Sequence, residues 1–183
     1  MPLPDPVARS QLHTRQVACR GYRRDDGLWD IEGRIVDTKS YDMVREWQRP
    51  LPAGDPIHDM SLRLTIDDRL VIQDVVAVTD ASPFAICVDA APNMARLKGL
   101  RIAPGWMRTV KERLGGRHGC THIVELLGPV ATTAFQTIFS DRAKSVAGGP
   151  AKHVHPRVNS CFAYAEDSPV IARLNAEKAA AGD

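Results

Sequence analysis

Apolar and polar positions alternate along the first half of the chain and recur at three and four residues along the second. In "GLWDIEGRIVD", Trp29, Ile31 and Ile35 alternate with Asp30, Glu32 and Arg34, the period of a strand with one buried face. "DDG" at 25–27 is a turn signal, so Val17–Arg24 is the expected hairpin partner. "MSLRLTID" alternates again, with Leu62, Leu64 and Ile66 inward and Ser61, Arg63 and Thr65 outward. "DDR" then turns the chain into "LVIQDVVAVTD", rich in the β-branched residues that strands favour. The pattern predicts an antiparallel hairpin of Met60–Asp67 with Leu70–Thr79.

Helical periods follow. Ser82 and Pro83 read as an N-cap and a first helical residue, and Pro92 divides that helix into two short pieces ending near Lys98–Gly99. "PGWMRTVKERLGG" is a second helix closed by Gly115–Gly116. In the third and longest, Ile123, Leu126, Leu127, Val130, Ala131, Ala134, Phe135 and Ile138 form one stripe, and Pro129 bends the helix without ending it. Leu126, Val130 and Phe135 are expected to pack on the sheet. "SVAGGPAKHVHPRV" reads as a loop, and a terminal helix follows Ser168–Pro169. Strands first and helices afterwards predict an α+β fold, an antiparallel sheet with helices packed on one face. The organisation expected is a single domain over 1–183: an N-terminal strand extension (1–55), a core (56–147), and a loop with a C-terminal helix (148–183).

Composition changes the picture only by exclusion. The chain has 183 residues, 44% of them apolar, enough for a core that needs no metal to hold it together. A net charge of +2 argues against nucleic acid as a partner. Arg15, Arg20, Arg23 and Arg24 are offset by Asp25, Asp26, Asp30 and Glu32, which reads as a salt-bridged strand face. "MPLPDPVARS" does not have the form of a signal peptide, and no apolar run approaches the roughly 18 residues that span a membrane. The expected setting is cytoplasmic, with no membrane partner and with Cys19, Cys87, Cys120 and Cys161 reduced.

The chemistry-bearing residues concentrate in "RHGCTHIVELLGP", where Cys120 stands between His118 and His122 as a helix begins. A thiol in a first helical turn is favoured as thiolate by unpaired N–H groups, and His118 and His122 are near enough to assist; a small buried side chain is the plainer reading. Cys87 occupies a similar place in "SPFAICVDAAP". His58 and Asp59, in "GDPIHDM", stand where a strand enters the sheet. One strand start and two helix starts can meet at one end of an α+β sheet. That would gather His58, Asp59, Cys87, Cys120 and His122 as metal ligands of mixed N, O and S type, suited to zinc or an iron–sulfur cluster. The candidate catalytic set is His58, Asp59 and Cys120, with His58 as general base and Asp59 orienting it.

From about Pro56 to Phe139 the order "HDMSLRLTID", "IQDVVAV", Cys87, "LKG", then Cys120 before "IVELLGPVATTAF", resembles the iron–sulfur scaffold fold of the IscU and NifU N-terminal type, and the related SufE sulfur acceptors. The resemblance implies a SufE/NifU-like fold and a metal-binding or sulfur-handling protein whose partner is a small molecule or a sulfur-donor or sulfur-acceptor protein. The first loop offers His58 and Asp59 but no cysteine, and Gly119 precedes the last cysteine where the scaffolds have histidine. A mononuclear metal site or a lone reactive thiol therefore stays open beside a cluster. Over nearly the whole length, through "HTRQV", "YRRDDGLWDIEGRIVDTKSYD", "PIHDMSLRLTID" and "GCTHIVELL", the chain also resembles a bacterial family of unknown function, which implies no activity. The alternatives to metal or sulfur handling are a small-molecule enzyme using His58 and Asp59, and a non-catalytic accessory protein.

Overall fold

A computed structural model describes residues 3–45, 48–145 and 158–181. Two compact units divide the chain, Met1–Phe139 and Ser140–Asp183. Four strands, β1 (His13–Arg23), β2 (Trp29–Lys39), β3 (Pro56–Ile66) and β4 (Ile72–Ala81), form one antiparallel sheet in sequential order. The α+β class and both expected hairpins are therefore present. In the β1–β2 turn Gly27 has a positive φ, and the Asp26 carboxylate accepts the Leu28 N–H. In the β3–β4 turn the Asp67 carboxylate accepts the N–H groups of Arg69 and Val71 around Leu70, itself left-handed.

Leu62, Leu64 and Ile66 are buried as the alternation predicts. Thr65, read as outward, is also buried: its hydroxyl donates to Asp30, which covers it on the other face of the sheet. The segment from Ser82 departs from expectation. The Ser82 hydroxyl donates to the Phe84 carbonyl instead of capping a helix, and a run of 3₁₀ turns, Ala85–Leu97, continues through Pro92. Its buried residues, Ala91, Met94 and Leu97, fall every third position, which is the 3₁₀ period and not the α one.

Helix α1 (Trp106–Leu114) buries Val110 and Leu114 and ends at Gly115. Helix α2 (Thr121–Ser145) runs through Pro129 and places Ile123, Leu126, Leu127, Val130, Ala134 and Ile138 in the core with the inward strand residues. Phe135 does not join them. It is about half exposed and stacks on Phe139, because it falls on the outer side of the stripe. Helix α3 (Pro169–Ala181) starts where expected, the Ser168 hydroxyl accepting the Ile171 N–H. Most of the expected loop, residues 146–157, lies outside the described residues.

Two glycines set the path of α2. A Cβ at Gly33 would lie 2.6 Å from Val130 Cγ2, and one at Gly21 would collide with the Thr137 side chain. Bare backbone at these inward positions lets α2 lie close against β1 and β2. Residues 126–130 sit over Gly33 and residue 137 over Gly21, so the helix N-terminus points to the opposite end of β2, at Asp37.

Candidate metal centre

Antiparallel order brings the start of β1, the end of β2 and the start of β3 to one end of the sheet. The register there pairs Arg15 with Asp37, and Asp37 with His58. All three belong to the inward face, since Asp37 continues the series Trp29, Ile31, Gly33, Ile35 and His58 the series Leu64, Leu62, Met60. A register shift between Asp37 and Thr38 leaves Ile57 as an extra residue beside the site. The first turn of α2 supplies His122 and Glu125 from above.

Asp37 is the centre of this arrangement and is 1% exposed. Arg15 donates to it through two bonds, Nε to Oδ1 at 2.8 Å and Nη2 to Oδ2 at 2.9 Å. His58 Nδ1 lies 3.0 Å from Oδ2, His122 Nε2 4.0 Å from the same oxygen, and His13 Nε2 3.4 Å from Oδ1. The His58 and His122 rings stack with centroids 3.6 Å apart. Arg15 also donates through Nη1 to Glu125 Oε2 at 2.6 Å. The side chains open outward in order: His58 14% exposed, His122 26%, Arg15 38%, Glu125 50%. The more exposed side of the group is that of Arg15 and Glu125.

Electrostatics hold two of these groups in metal-ligating form. Burial opposes charge on Asp37, but the Arg15 hydrogen bonds and charge, with His58, outweigh it and keep the carboxyl below its ordinary range. Burial, with His58 and Arg15 nearby, pushes the His122 imidazole down, so it is neutral at neutral pH. One ligand atom each from Asp37, His58 and His122 lies within 4.8 Å of the others. Donors around a tetrahedral ion at about 2.0–2.2 Å stand roughly 3.3–3.6 Å apart. The group is wider than that spacing by about 1.5 Å at most, so its side chains would close in to hold an ion.

The expected site residues separate on this geometry. His58 and His122 converge; the carboxylate facing them is Asp37, not Asp59. Asp59 is one residue out of phase with His58 on β3, so its side chain lies on the other face, accepting two bonds from Arg34 at 2.7 and 2.5 Å. That face carries further pairs, Arg63 with Glu32 and Arg24 with Asp30, whereas Arg15, read as part of the same charged face, turns inward to Asp37. Cys120 caps α2 with its carbonyl, which accepts the Val124 N–H. Its sulfur lies 3.6 Å from Met60 Sδ and 3.9 Å from His122 Nδ1, the ring nitrogen turned from Asp37. It adjoins the metal-capable group without belonging to it. Cys87 lies partly buried in the 3₁₀ run, outside the group, and His118 is on an exposed turn. Cys19 lies near Gly33 under α2, and burial pushes its thiol up.

Sheet, helices and site together define an α+β protein with an inward His₂Asp group able to hold a metal ion. The chain belongs to the family described as "Protein of unknown function (DUF2889)", whose model matches residues 13–136 and so spans every side chain of the site. No curated protein and no solved structure matches. The likeness to iron–sulfur scaffolds and sulfur acceptors finds no support there, and the agreement stops at an antiparallel sheet carrying helices. Among the described residues no helix is long and apolar enough to cross a membrane.

Proposed function

We propose that this chain binds one divalent first-row transition metal, zinc or iron(II), through Asp37, His58 and His122. The observation that supports it is a buried carboxylate with two imidazoles from separate elements turned onto it. Two nitrogens and one carboxylate oxygen suit zinc with an open position, or iron(II) held by two histidines and a carboxylate. Three protein donors leave room for a water or a small molecule, which a bound ion polarises. The fold has its own apolar core, so the ion serves ligand binding more than folding. Cys120 acts here as the partner of His122 Nδ1, steadying the tautomer that leaves Nε2 free for the ion.

Protein purified without added metal and analysed by mass spectrometry of the elements should carry about one zinc or iron per chain, or take it up on addition. His58→Ala and His122→Ala should lose it while keeping the circular dichroism of the parent. Asp59→Asn and Cys87→Ser should retain it. A wild-type chain that binds no zinc, iron(II) or cobalt(II) overturns the reading.

A second reading rests on one contact. His58 Nδ1 against Asp37 Oδ2 is the geometry of a carboxylate orienting an imidazole, which frees the other ring nitrogen as a general base. Full activity toward a substrate after chelation would favour it over the metal centre.

A further inference from the structure

Every nitrogen of the Arg15 side chain is committed in this structure: Nε and Nη2 to Asp37, Nη1 to Glu125. The two Asp37 oxygens are also the atoms a metal needs, and they already serve Arg15, His58 and His13. Arg15 and a metal ion therefore compete for one carboxylate. Arg15 comes from the solvent side, being far more exposed than Asp37, whereas His58 and His122 approach from within the fold. An ion on Asp37 would take at least one of the oxygens that Arg15 now holds, while the Glu125 bond would keep Arg15 beside the site.

Charge points the same way. Asp37 and Glu125 bring two negative charges against one positive on Arg15, and a divalent ion adds two positive charges beside them. A planar fork left beside a cation with open positions matches the two oxygens of a carboxylate or phosphate.

Resting on the metal reading above, we infer that the site takes a small oxyanion, a carboxylate or phosphate, bridging the bound metal and Arg15. Arg15 serves two states: it neutralises Asp37 when the ion is absent and grips the anion when the ion is present.

The test uses the full chain loaded with cobalt(II), whose visible absorption reports its ligands. Acetate or inorganic phosphate should shift the spectrum saturably, and chloride at equal ionic strength should not. Arg15→Gln should weaken the effect of the anion about tenfold, the loss of a charge-assisted bond, while cobalt itself binds more tightly because its competitor is gone. Arg15→Lys keeps a cation beside Asp37 in case the glutamine variant folds poorly; it should weaken the anion effect while leaving the circular dichroism unchanged. Cobalt that binds wild type but ignores acetate and phosphate overturns the inference alone. So does a parallel loss of cobalt and anion in folded Arg15→Gln, or an equal response to chloride. If wild type binds no cobalt, zinc or iron, the metal reading itself falls and takes the inference with it.

Discussion

Replacing Gly33 by alanine tests the contact that aims α2 at the site. The added Cβ would stand 2.6 Å from Val130 Cγ2, against about 3.5–4.0 Å for unstrained carbon atoms, so roughly 1 Å must be found. Val130 is fully buried and β-branched, which limits escape by rotation. β2 is held on both sides by β1 and β3, so the strand cannot give way as an edge would. Overpacking of this kind costs about 1–3 kcal/mol, offset by about 0.5–1 kcal/mol from removing a strand glycine. The net loss is about 1 kcal/mol, a fall of about 2–4 °C in Tm for a chain of this length. Thermal and urea unfolding of Gly33→Ala, Val130→Ala and the double variant check it. Because Val130→Ala removes the obstructing methyl groups, the two changes should be non-additive, the double variant being more stable than the sum of singles predicts. Gly33→Ala melting above the parent, or strict additivity, would refute the close approach and the account of how α2 reaches Asp37.

Other outcomes follow from the same geometry. Phe135→Ala should cost no more than about 1.5 kcal/mol, the worth of one aromatic pair, whereas Leu126→Ala should cost about 2–5 kcal/mol in urea unfolding. The Asp59 carboxyl is held below its ordinary range by the Arg34 hydrogen bonds, and Asp37 by Arg15 against the opposition of burial. Depressed carboxyls add stability that is present above their unfolded values and lost as pH falls through the folded ones. Urea midpoints should therefore drop below about pH 4, and Asp59→Asn should flatten that drop. Cys120→Ser should retain the metal with affinity weakened about 10–100-fold, as for loss of a partner to a ligand histidine; complete loss would place the sulfur on the ion itself.

Strand and helix periods were legible because they are local. Period two tells which residues of each strand share a face, and that extends to the site. The inward series of β2 reaches Asp37 two steps after Ile35, a polar residue at a core position. The same parity, counted back from Leu62, puts His58 inward and Asp59 outward. The spacing of three in Ala91, Met94 and Leu97 likewise marked a 3₁₀ run that an α-helical reading passes over. Tertiary structure alone decided the register that sets Arg15 and His58 on either side of Asp37, and the landing of α2 that adds His122 and Glu125. Those pairings join residues 21 to 110 positions apart in sequence. They depend on hairpin lengths, on one register shift and on two glycines that admit a helix, so no single segment contains them. Cys87 and Cys120 looked alike in sequence because each opens a helical stretch, but packing places only Cys120 beside His122, since only the first turn of α2 is carried over the end of β2.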